Sequence, residues 1–510
     1  MNIGSILTKS AKHYPGNWAL IYRDKKFSYS EINERVNKLA NAFLNLGLQK
    51  CDRVSIFQYN CPQLVETLFA SWKAGLAVVP INFRLHPREV AYIIEDSESL
   101  AFVFGKEFKS SIQSIRNEIT RVKYLISTSN SLGAVDYEEL LANSEPNEVL
   151  KEVNENDLAW LFYTSGTTGK PKGAMLTHRN LLAMTIDTLA EVIHVNPEDV
   201  ALHVAPLTHG SGLYLLPIVA RGATNIILES KSFNPELVLE AIEKHKVTII
   251  PFMVPTQIKM LLDVDTTKYD LSSLKYIVYG GAPIHPEDLK EAIRKFGQVF
   301  VQIYGQGESP MTISCLRREE HVIDGTELQL KRLSSAGIPR INIEVKIVDE
   351  NDKEVPTGVI GEIVVRGDTV MKGYWKRPEA TDETLKGGWL HTGDLGYVDK
   401  YGYIYIMDRK KDVIISGGAN IYPREVEDII MLHPAVHEVA VIGIPDPLWG
   451  ESVKAFVVLR KSARATEEEI IEFCKKHLAS YKKPKSVEFV KSLPKSGYGK
   501  ILKRELKRIG

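Results

Sequence analysis

A short segment rich in glycine, threonine and lysine is the clearest chemical feature of the sequence. It directly follows an apolar run, Leu158–Thr164, with the length and composition of a buried strand. Glycines let backbone amides approach an anion closely, and hydroxyls and lysines add donors and positive charge, so the segment is suited to holding a polyphosphate. A flexible surface loop is the alternative interpretation. The segment runs Thr164-Ser165-Gly166-Thr167-Thr168-Gly169-Lys170-Pro171-Lys172.

The spacing within this segment excludes one common phosphate-binding loop. A Walker loop has four residues between its first glycine and its Gly-Lys pair, and a Ser or Thr follows the lysine. Here two residues separate Gly166 from Gly169, and Pro171 follows Lys170. A P-loop nucleotidase is therefore disfavoured.

Further short motifs along the chain, taken with this loop, resemble the adenylate-forming superfamily of acyl-CoA synthetases, nonribosomal peptide adenylation domains and beetle luciferases. Segment 164–172 matches the signature loop of that family at every position. Seven more matches follow in family order and span nearly the whole chain. They are Gly280-Gly281-Ala282-Pro283, Tyr304-Gly305-Gln306-Gly307-Glu308, Gly373-Tyr374-Trp375 with Arg377-Pro378-Glu379-Ala380-Thr381, Thr392-Gly393-Asp394, Asp408-Arg409 with Lys411-Asp412, Gly418-Ala419-Asn420-Ile421, and Gly499-Lys500.

The resemblance implies a site for ATP. Tyr304 and the turn that begins at Gly280 would offer a flat surface and backbone partners to adenine. Asp394, with Arg409 beside it, would hold the ribose, and Glu308 would bind Mg²⁺ together with Thr168. A core tyrosine, a turn aspartate and a surface glutamate are the alternatives. The predicted nucleotide-binding residues are Thr164, Ser165, Gly166, Thr167, Thr168, Gly169, Lys170, Lys172, Gly281, Ala282, Pro283, Gln302, Tyr304, Gly305, Gln306, Gly307, Glu308, Asp394, Arg409 and Lys500.

The resemblance also implies two chemical steps that use different parts of the carboxyl-terminal region. Lys500 matches the adenylation lysine, whose charge would stabilise the attack of a carboxylate on the α-phosphate. Family members then rotate the small domain about the residue two after the conserved arginine, which is Lys411 here. After rotation, Ser416, Gly417 and Gly418 would line a tunnel for the thiol arm of coenzyme A.

The acyl site is expected around His209, Gly210, Tyr214 and Gly280, which match family positions or adjoin them. We group His209 with Lys500, Glu308 and Thr168 as catalytic residues. For His209 itself, a role in gating or packing is favoured over proton transfer. Residues 205–220 contain no Asp or Glu. Because a buried ammonium needs a carboxylate partner, an amino-acid substrate is disfavoured and a neutral acyl tail is expected.

Two positions depart from the family pattern. Most members have Thr or Ser where this chain has Gly307, so a hydroxyl directed at phosphate is missing. Ser309 is one compensation, and extra room for a bulkier acid is another interpretation. Tyr498 stands where Ser or Thr commonly precedes the Gly-Lys pair, which leaves the conformation of that loop open.

Length and composition predict a multidomain α/β protein. A chain of 510 residues exceeds the size of a single core, and strand, loop and helix patterns alternate up to about residue 405. We expect a large α/β domain at 1–410 and a small mobile α+β domain at 411–510. Strands are predicted at 439–444 and 454–459, and Thr466 begins a helix with a capping box.

Charge and cysteine content exclude several other classes. Lys plus Arg and Asp plus Glu number 64 each, so no global field attracts nucleic acid, although Lys and Arg outnumber acids twelve to two in 475–510. Four separated cysteines predict reduced thiols. The sequence lacks the run of about 18 apolar residues of a membrane span, and its first 16 residues lack the pattern of a secretory signal. A cytoplasmic location is expected, and a homodimer is left open.

The predicted activity is an ATP-dependent acyl-CoA ligase. A carboxylic acid and ATP would give acyl-AMP and pyrophosphate, and acyl-AMP with coenzyme A would give acyl-CoA and AMP. The acid is expected to be a medium- or long-chain fatty acid or an aromatic acid. Three alternatives stay open, namely a ligase that loads a carrier protein, a luciferase-like oxygenase and a non-catalytic nucleotide sensor.

Overall fold

The computed structural model of the protein describes residues 1–164, 170–228, 232–495 and 501–508. In these residues the strands are β1 (Trp18–Tyr22), β2 (Lys25–Ser28), β3 (Arg53–Phe57), β4 (Ala77–Pro80), β5 (Ala101–Phe104), β6 (Tyr124–Ser127), β7 (Val135–Asp136), β8 (Leu158–Thr164), β9 (Lys172–Thr177), β10 (Val200–His203), β11 (Thr224–Ile227), β12 (Ile249–Met253), β13 (Tyr276–Tyr279), β14 (Phe300–Gln306), β15 (Ser309–Leu316), β16 (Ile338–Pro339), β17 (Ile343–Val348), β18 (Gly361–Gly367), β19 (Leu390–Val398), β20 (Ile404–Arg409), β21 (Ile414–Ser416), β22 (Ala419–Ile421), β23 (Val436–Asp446), β24 (Gly450–Leu459) and β25 (Ser486–Phe489).

The α-helices of the described residues are α1 (Ser5–His13), α2 (Tyr29–Asn45), α3 (Pro62–Lys73), α4 (Pro87–Asp96), α5 (Lys109–Ile115), α6 (Tyr137–Ala142), α7 (His178–Asp187), α8 (Gly210–Leu213), α9 (Leu215–Ala220), α10 (Pro235–His245), α11 (Pro255–Leu262), α12 (Pro286–Phe296), α13 (Glu327–Arg332), α14 (Pro378–Thr384), α15 (Pro423–Met431), α16 (Glu467–Lys475) and α17 (Lys503–Leu506). Turns of 3-10 helix lie at Lys106–Phe108, Thr266–Lys268, Arg318–Glu320, Lys386–Gly388 and Lys410–Asp412, and a π-helical turn lies at Thr188–Val192.

Two large sheets and the helices on their faces make up most of the chain before residue 340. One sheet has the strand order β7-β6-β5-β3-β4-β8-β9, and the other has the order β16-β15-β14-β13-β12-β10-β11-β1-β2. Helices α2, α3 and α7 contribute to the core between the sheets. Helices α4 and α5 cover the outer face of the first sheet, and α10 to α12 cover that of the second. These layers confirm the predicted α/β fold.

The remaining strands form two smaller sheets. Strands β17 to β20 form an antiparallel sheet that packs against β14 and β15. Strands β21 to β25 form the last sheet, with α15 and α16 on one face and α17 on the other. This small α+β unit agrees with the predicted class. The Lys410–Asp412 turn joins the two sheets, and the boundary predicted at 410/411 falls within it.

Several predicted elements begin and end as expected because their local signals are strong. The β8 bounds match the predicted apolar run, and α16 begins after Thr466, whose hydroxyl accepts a hydrogen bond from Glu469 N. Strands β23 and β24 extend beyond the predicted 439–444 and 454–459. They pair in antiparallel register from Val436 opposite Leu459 to Asp446 opposite Gly450, so cross-strand hydrogen bonds carry the strands past their apolar centres.

All four cysteines are free thiols, and Cys315 and Cys474 are buried. Among the described residues, no helix is long and apolar enough to cross a membrane.

Candidate active site

A cleft of about 1210 Å³ lies where several strands of the two large sheets end. Ligand clefts of α/β proteins form at the carboxyl ends of parallel strands. Side chains from β8, β12 and β14 line this one, and residues of the third sheet and of the carboxyl-terminal region complete its wall. The predicted site residues among those that line it are Thr164, Lys172, His209, Gly210, Gly281, Ala282, Gly305, Gln306, Gly307, Glu308, Arg409 and Lys411.

Strand β8 presents one row of side chains to this cleft. Alternate residues of a strand point to the same face, so Trp160, Phe162 and Thr164 lie in line. All three line the cleft, while Leu161 belongs to the core on the opposite face. The Phe162 ring lies edge-on to the His209 ring, with 4.9 Å between centroids. The row therefore runs from the start of the glycine-rich segment into the apolar interior.

Glu308 accepts hydrogen bonds from side chains of two distant segments. Thr164 Oγ1 donates to Glu308 Oε1 at 3.1 Å, and Tyr374 Oη donates to the same oxygen at 2.7 Å. Burial, and then the Glu308 carboxylate, raises the pKa of the Tyr374 phenol, so the phenol stays a donor. Lys172 Nζ lies 4.4 Å from the centroid of the Tyr374 ring. A carboxylate, a hydroxyl and a cation thus meet at one corner of the cleft.

Asp394 is the centre of a second polar cluster. Its Oδ2 accepts hydrogen bonds from Tyr304 Oη at 2.7 Å and Gln306 Nε2 at 2.8 Å. Its Oδ1 lies 2.6 Å from Arg409 Nε, and the register of β19 and β20 sets Asp394 opposite Arg409. Burial alone would lower the pKa of the Arg409 guanidinium, but the Asp394 carboxylate raises it. Three donors fix this carboxylate, which is 7% exposed.

The wall beyond His209 is apolar. Phe252 and Met311 line it, and a Cβ on Gly210 would lie 3.2 Å from Met311 Sδ and 3.4 Å from the Phe252 ring. Glycine at 210 therefore lets the helix α8 approach this wall closely. His209 itself is half-buried, and desolvation lowers its pKa to about 4, so its imidazole is neutral at pH 7. The surroundings suit an uncharged group.

Comparison with known proteins places the chain in a family. Residues 7–375 match the AMP-binding enzyme family, and residues 425–500 match the AMP-binding enzyme C-terminal domain. The chain belongs to the AMP-binding enzyme family. The predicted membership of the adenylate-forming superfamily and the predicted fold are confirmed.

Three similar proteins illustrate the range of this family. The chain is 40% identical to a feruloyl-CoA synthase of an Amycolatopsis species, over 99% of this chain and 98% of that protein. It is 39% identical to a long-chain-fatty-acid–CoA ligase of Bacillus subtilis strain 168, over 98% of this chain and 93% of that protein. A crystal structure of the anthranilate CoA ligase AuaEII with anthranoyl-AMP superimposes with a TM-score of 0.91 at 28% identity, over 100% and 97% of the two chains. The predicted class, an AMP-forming acyl-CoA synthetase, is confirmed.

The structure corrects both interpretations of Gly307 in this AMP-binding enzyme. Extra room for a bulkier acid is not present, because a Cβ there would lie 2.3 Å from Thr164 Cγ2 and 2.8 Å from Phe162 Cδ1. Ser309 does not supply the missing hydroxyl to the cleft. It is fully buried, and its Oγ pairs with Thr369 Oγ1 at 2.9 Å. Glycine at 307 instead allows β8 and the end of β14 to approach.

Several predicted site residues are not among those that line the cleft. Tyr304 and Gln302 lie on the other face of β14 from Gly305, since strand side chains alternate. Tyr304 is buried and contacts the site through its bond to Asp394, while Gln302 Oε1 accepts from Tyr279 Oη at 3.4 Å. Asp394 is also absent from the lining and adjoins the cleft through its partners Gln306 and Arg409. Gly280, Pro283 and Tyr214 do not line it either: a Cβ on Gly280 would lie 2.5 Å from Ile303 O, Pro283 is exposed, and Tyr214 is fully buried in the core behind the wall.

The carboxyl-terminal residues divide into two groups. Leu502 and Arg504 line the cleft, and so does Lys411. Ser416, Gly417 and Gly418 do not line it, and the two glycines are exposed beside Trp449 O, which accepts a hydrogen bond from Gly417 N at 2.8 Å. In this arrangement the segment that resembles the thiol tunnel is not part of the cleft wall.

Some predicted residues lie outside the described part of the chain, and some contacts were not predicted. Ser165, Gly166, Thr167, Thr168, Gly169 and Lys500 are outside the described residues. Lys170, which follows, is exposed with its Nζ 5.4 Å from the Tyr92 ring centroid.

The sequence analysis missed the bond from Tyr374 to Glu308, although the Gly373-Tyr374-Trp375 motif marked the segment. It also missed Trp160 and Phe162, whose strand periodicity was the available signal.

Proposed function

We propose that this enzyme converts a fatty or aromatic carboxylic acid to its coenzyme A thioester in two steps. In the first, the acid carboxylate attacks the α-phosphate of ATP, which forms acyl-AMP and releases pyrophosphate. In the second, the thiol of coenzyme A attacks the acyl carbonyl and AMP leaves. The observation that carries the proposal is the junction, in one cleft, of the Asp394 and Glu308 clusters with an apolar wall. Full-length identity of about 40% to a feruloyl-CoA synthase supports it.

Asp394 is suited to bind the ribose. A carboxylate offers about four lone-pair sites, and the described donors occupy three of them, two on Oδ2 and one on Oδ1. A ribose hydroxyl would bond to Oδ1, while Tyr304 and Gln306 hold the carboxylate in place. Gly281, Ala282 and Gly305 would flank the base, because their small side chains leave a flat surface.

The corner at Glu308 is suited to the phosphates and Mg²⁺. Magnesium prefers carboxylate oxygens, and both hydrogen bonds that the described residues donate to Glu308 go to Oε1, which leaves Oε2 for the ion. When bound, the ion would neutralise charge on the phosphates. Thr168 remains its second predicted ligand. Lys172, and Lys500 by resemblance, would add positive charge near the departing pyrophosphate.

His209 would serve the acyl end as a neutral, half-buried ring. A pKa of about 4 leaves it without charge at pH 7, so it would pack against the acyl carbonyl region beside Phe162 and would not attract an anion. This agrees with the sequence-based preference for gating or packing over proton transfer.

The second step would use a rotation about Lys411. The Lys410–Asp412 turn connects the third sheet with the carboxyl-terminal sheet, and the Lys411 side chain is exposed, so a change of backbone angles there moves few packed atoms. Such a rotation would exchange Leu502 and Arg504 at the cleft for Ser416, Gly417 and Gly418, the predicted thiol tunnel. The domains 1–410 and 411–510 would be its two bodies.

The proposal is tested by following pyrophosphate and AMP separately. With ATP and an acid alone, the enzyme should release pyrophosphate in a single turnover, and added coenzyme A should start multiple turnovers with AMP and acyl-CoA in equal amounts. AMP formation that needs a carrier protein in place of coenzyme A would favour the carrier-loading alternative. Absence of acid-dependent pyrophosphate would favour a nucleotide sensor. A cytoplasmic location and a homodimer stay predictions.

A further inference from the structure

Two buried polar atoms lie on the otherwise apolar side of the cleft. Thr208 and Trp160 both line the cleft and are 4% and 0% exposed. Among the described residues, neither Thr208 Oγ1 nor Trp160 Nε1 has a hydrogen-bond partner. Buried hydroxyl and indole groups normally have one, so each such atom requires an explanation.

The local structure at Thr208 does not use its hydroxyl. Asn60 fixes the preceding backbone, because its Nδ2 donates to Ala205 O at 2.9 Å and its Oδ1 accepts from Leu207 N at 2.8 Å. His209 N donates to Pro206 O at 3.1 Å, which closes the turn. These backbone contacts fix the turn and leave the Thr208 hydroxyl without a partner among the described residues.

The indole of Trp160 is likewise held by packing alone. Its ring lies 6.1 Å from the Phe162 ring and 6.1 Å from the Trp72 ring, measured between centroids. Trp72 shows the ordinary solution for a buried indole, since its Nε1 donates to Ala159 O at 2.9 Å. The two neighbouring tryptophans therefore differ in whether the indole N–H has an acceptor. Trp160, which lines the cleft, has none among the described residues.

We propose that these two groups select an aromatic acid that carries oxygen on its ring, as a hydroxyl or a methoxy group. Trp160 Nε1 would donate to that oxygen, and Thr208 Oγ1 would donate to it or accept from a phenol. The rings of Phe162 and Phe252 would pack against the aromatic ring of the acid. A plain alkyl tail would leave both atoms, which are already buried, without a partner and would gain no hydrogen bond. The inference rests on the proposed function and narrows its substrate class.

Sequence identity alone does not decide this question. The feruloyl-CoA synthase and the long-chain-fatty-acid–CoA ligase are 40% and 39% identical to this chain. The two buried donors therefore supply the distinguishing observation.

The first test measures kcat/KM for AMP release with coenzyme A, using ferulate, cinnamate and decanoate. Cinnamate has the ring and side chain of ferulate but no ring oxygen. A site that bonds the oxygen should prefer ferulate over cinnamate by at least about tenfold, and over decanoate by more. Equal values for ferulate and cinnamate, or a preference for decanoate, would overturn the inference and leave the ligase activity intact. No AMP from any of the three acids would contradict the proposed function itself.

The second test assigns the preference to the two residues. Thr208→Val removes the hydroxyl at nearly constant volume and should reduce the ferulate-to-cinnamate ratio about tenfold. Thr208→Ser keeps the hydroxyl and should keep the ratio, which separates hydrogen bonding from packing. Trp160→Phe keeps a ring without the N–H and should also reduce the ratio. If Thr208→Val lowers kcat/KM for both acids equally, the hydroxyl does not select the acid and the inference fails.

Discussion

Substitution of Gly307 by alanine tests how closely β8 and the end of β14 approach. The added methyl group would lie 2.3 Å from Thr164 Cγ2 and 2.8 Å from Phe162 Cδ1, whereas carbon atoms in contact are normally about 3.5 to 4.0 Å apart. Gly307 is not among the residues with positive φ, so alanine adopts its backbone conformation without strain. The whole effect must come from these two steric contacts.

The expected magnitude follows from what the two neighbours do. Overpacking costs about 1 to 3 kcal/mol. Thr164 bonds to Glu308, and Phe162 packs on His209, so displacement of either side chain moves the site itself. If the cost falls on the reactive geometry, kcat/KM for adenylation drops roughly 5- to 150-fold, at 1.36 kcal/mol per decade.

Pyrophosphate release from acid and ATP measures this effect. Thr164→Ser removes the Cγ2 methyl group and keeps the hydroxyl, so the double variant Gly307→Ala/Thr164→Ser should regain part of the lost rate. Gly16→Ala is the matched control, because a Cβ on Gly16 has no neighbour within 4 Å. A Gly307→Ala enzyme with the wild-type rate, or a double variant no faster than it, would refute the steric argument.

Three further perturbations test the charges of the site and of the core. Asp394→Asn weakens the acceptor of the predicted hydrogen bond to the ribose, which ATP and acyl-AMP share. Both half-reactions should therefore slow by about 10²-fold, and an unchanged ATP affinity would disprove the ribose assignment. Lys500→Ala should reduce pyrophosphate release by about 10² to 10³ and spare acyl-CoA formation from preformed acyl-AMP, and Lys507→Ala is the control. Equal losses in the two assays would contradict the adenylation role of Lys500. Burial lowers the pKa of both His203 and His321 to about 4. Between pH 6.5 and 4 the unfolded chain therefore binds more protons than the folded one. Each histidine should lower the free energy of unfolding by about 2 kcal/mol at pH 5, which a lower urea midpoint than at pH 7 would show. A urea midpoint that rises on acidification would contradict this sign.

Local patterns in the sequence were enough to predict single elements. The strand Leu158–Thr164 and the helix that follows Thr466 agree with their predicted positions, because an apolar run and an N-cap threonine act within a few residues. The family motifs likewise identified the segments that contribute to the cleft. Asp394 beside Arg409 was predicted from the resemblance, and the register of β19 with β20 explains the pairing.

Contacts between distant segments could not be predicted from local patterns. Glu308 accepts from Thr164 and Tyr374, which are 144 and 66 residues away in the chain. The wrong interpretation of Gly307 has the same origin, since only the fold reveals that β8 occupies the space a side chain would need. The buried donors of Thr208 and Trp160 were also invisible, because a sequence does not state which polar atoms lack partners.

The polar contacts around Asp408 would allow the proposed rotation at Lys411 to be reversible. Asp408 precedes the turn, and its Oδ2 accepts from Arg424 N at 3.1 Å and lies 3.6 Å from Lys503 Nζ, both of which follow the turn. The proposed rotation would break these two contacts. Burial alone would lower the pKa of Lys503, but Glu427, whose Oε1 is 2.9 Å away, and Asp408 raise it. Since Glu427 and Lys503 lie on the same side of the turn, the lysine keeps one carboxylate partner throughout the motion. A buried cation that lost every partner would oppose rotation strongly, whereas exchange of one partner for water costs far less.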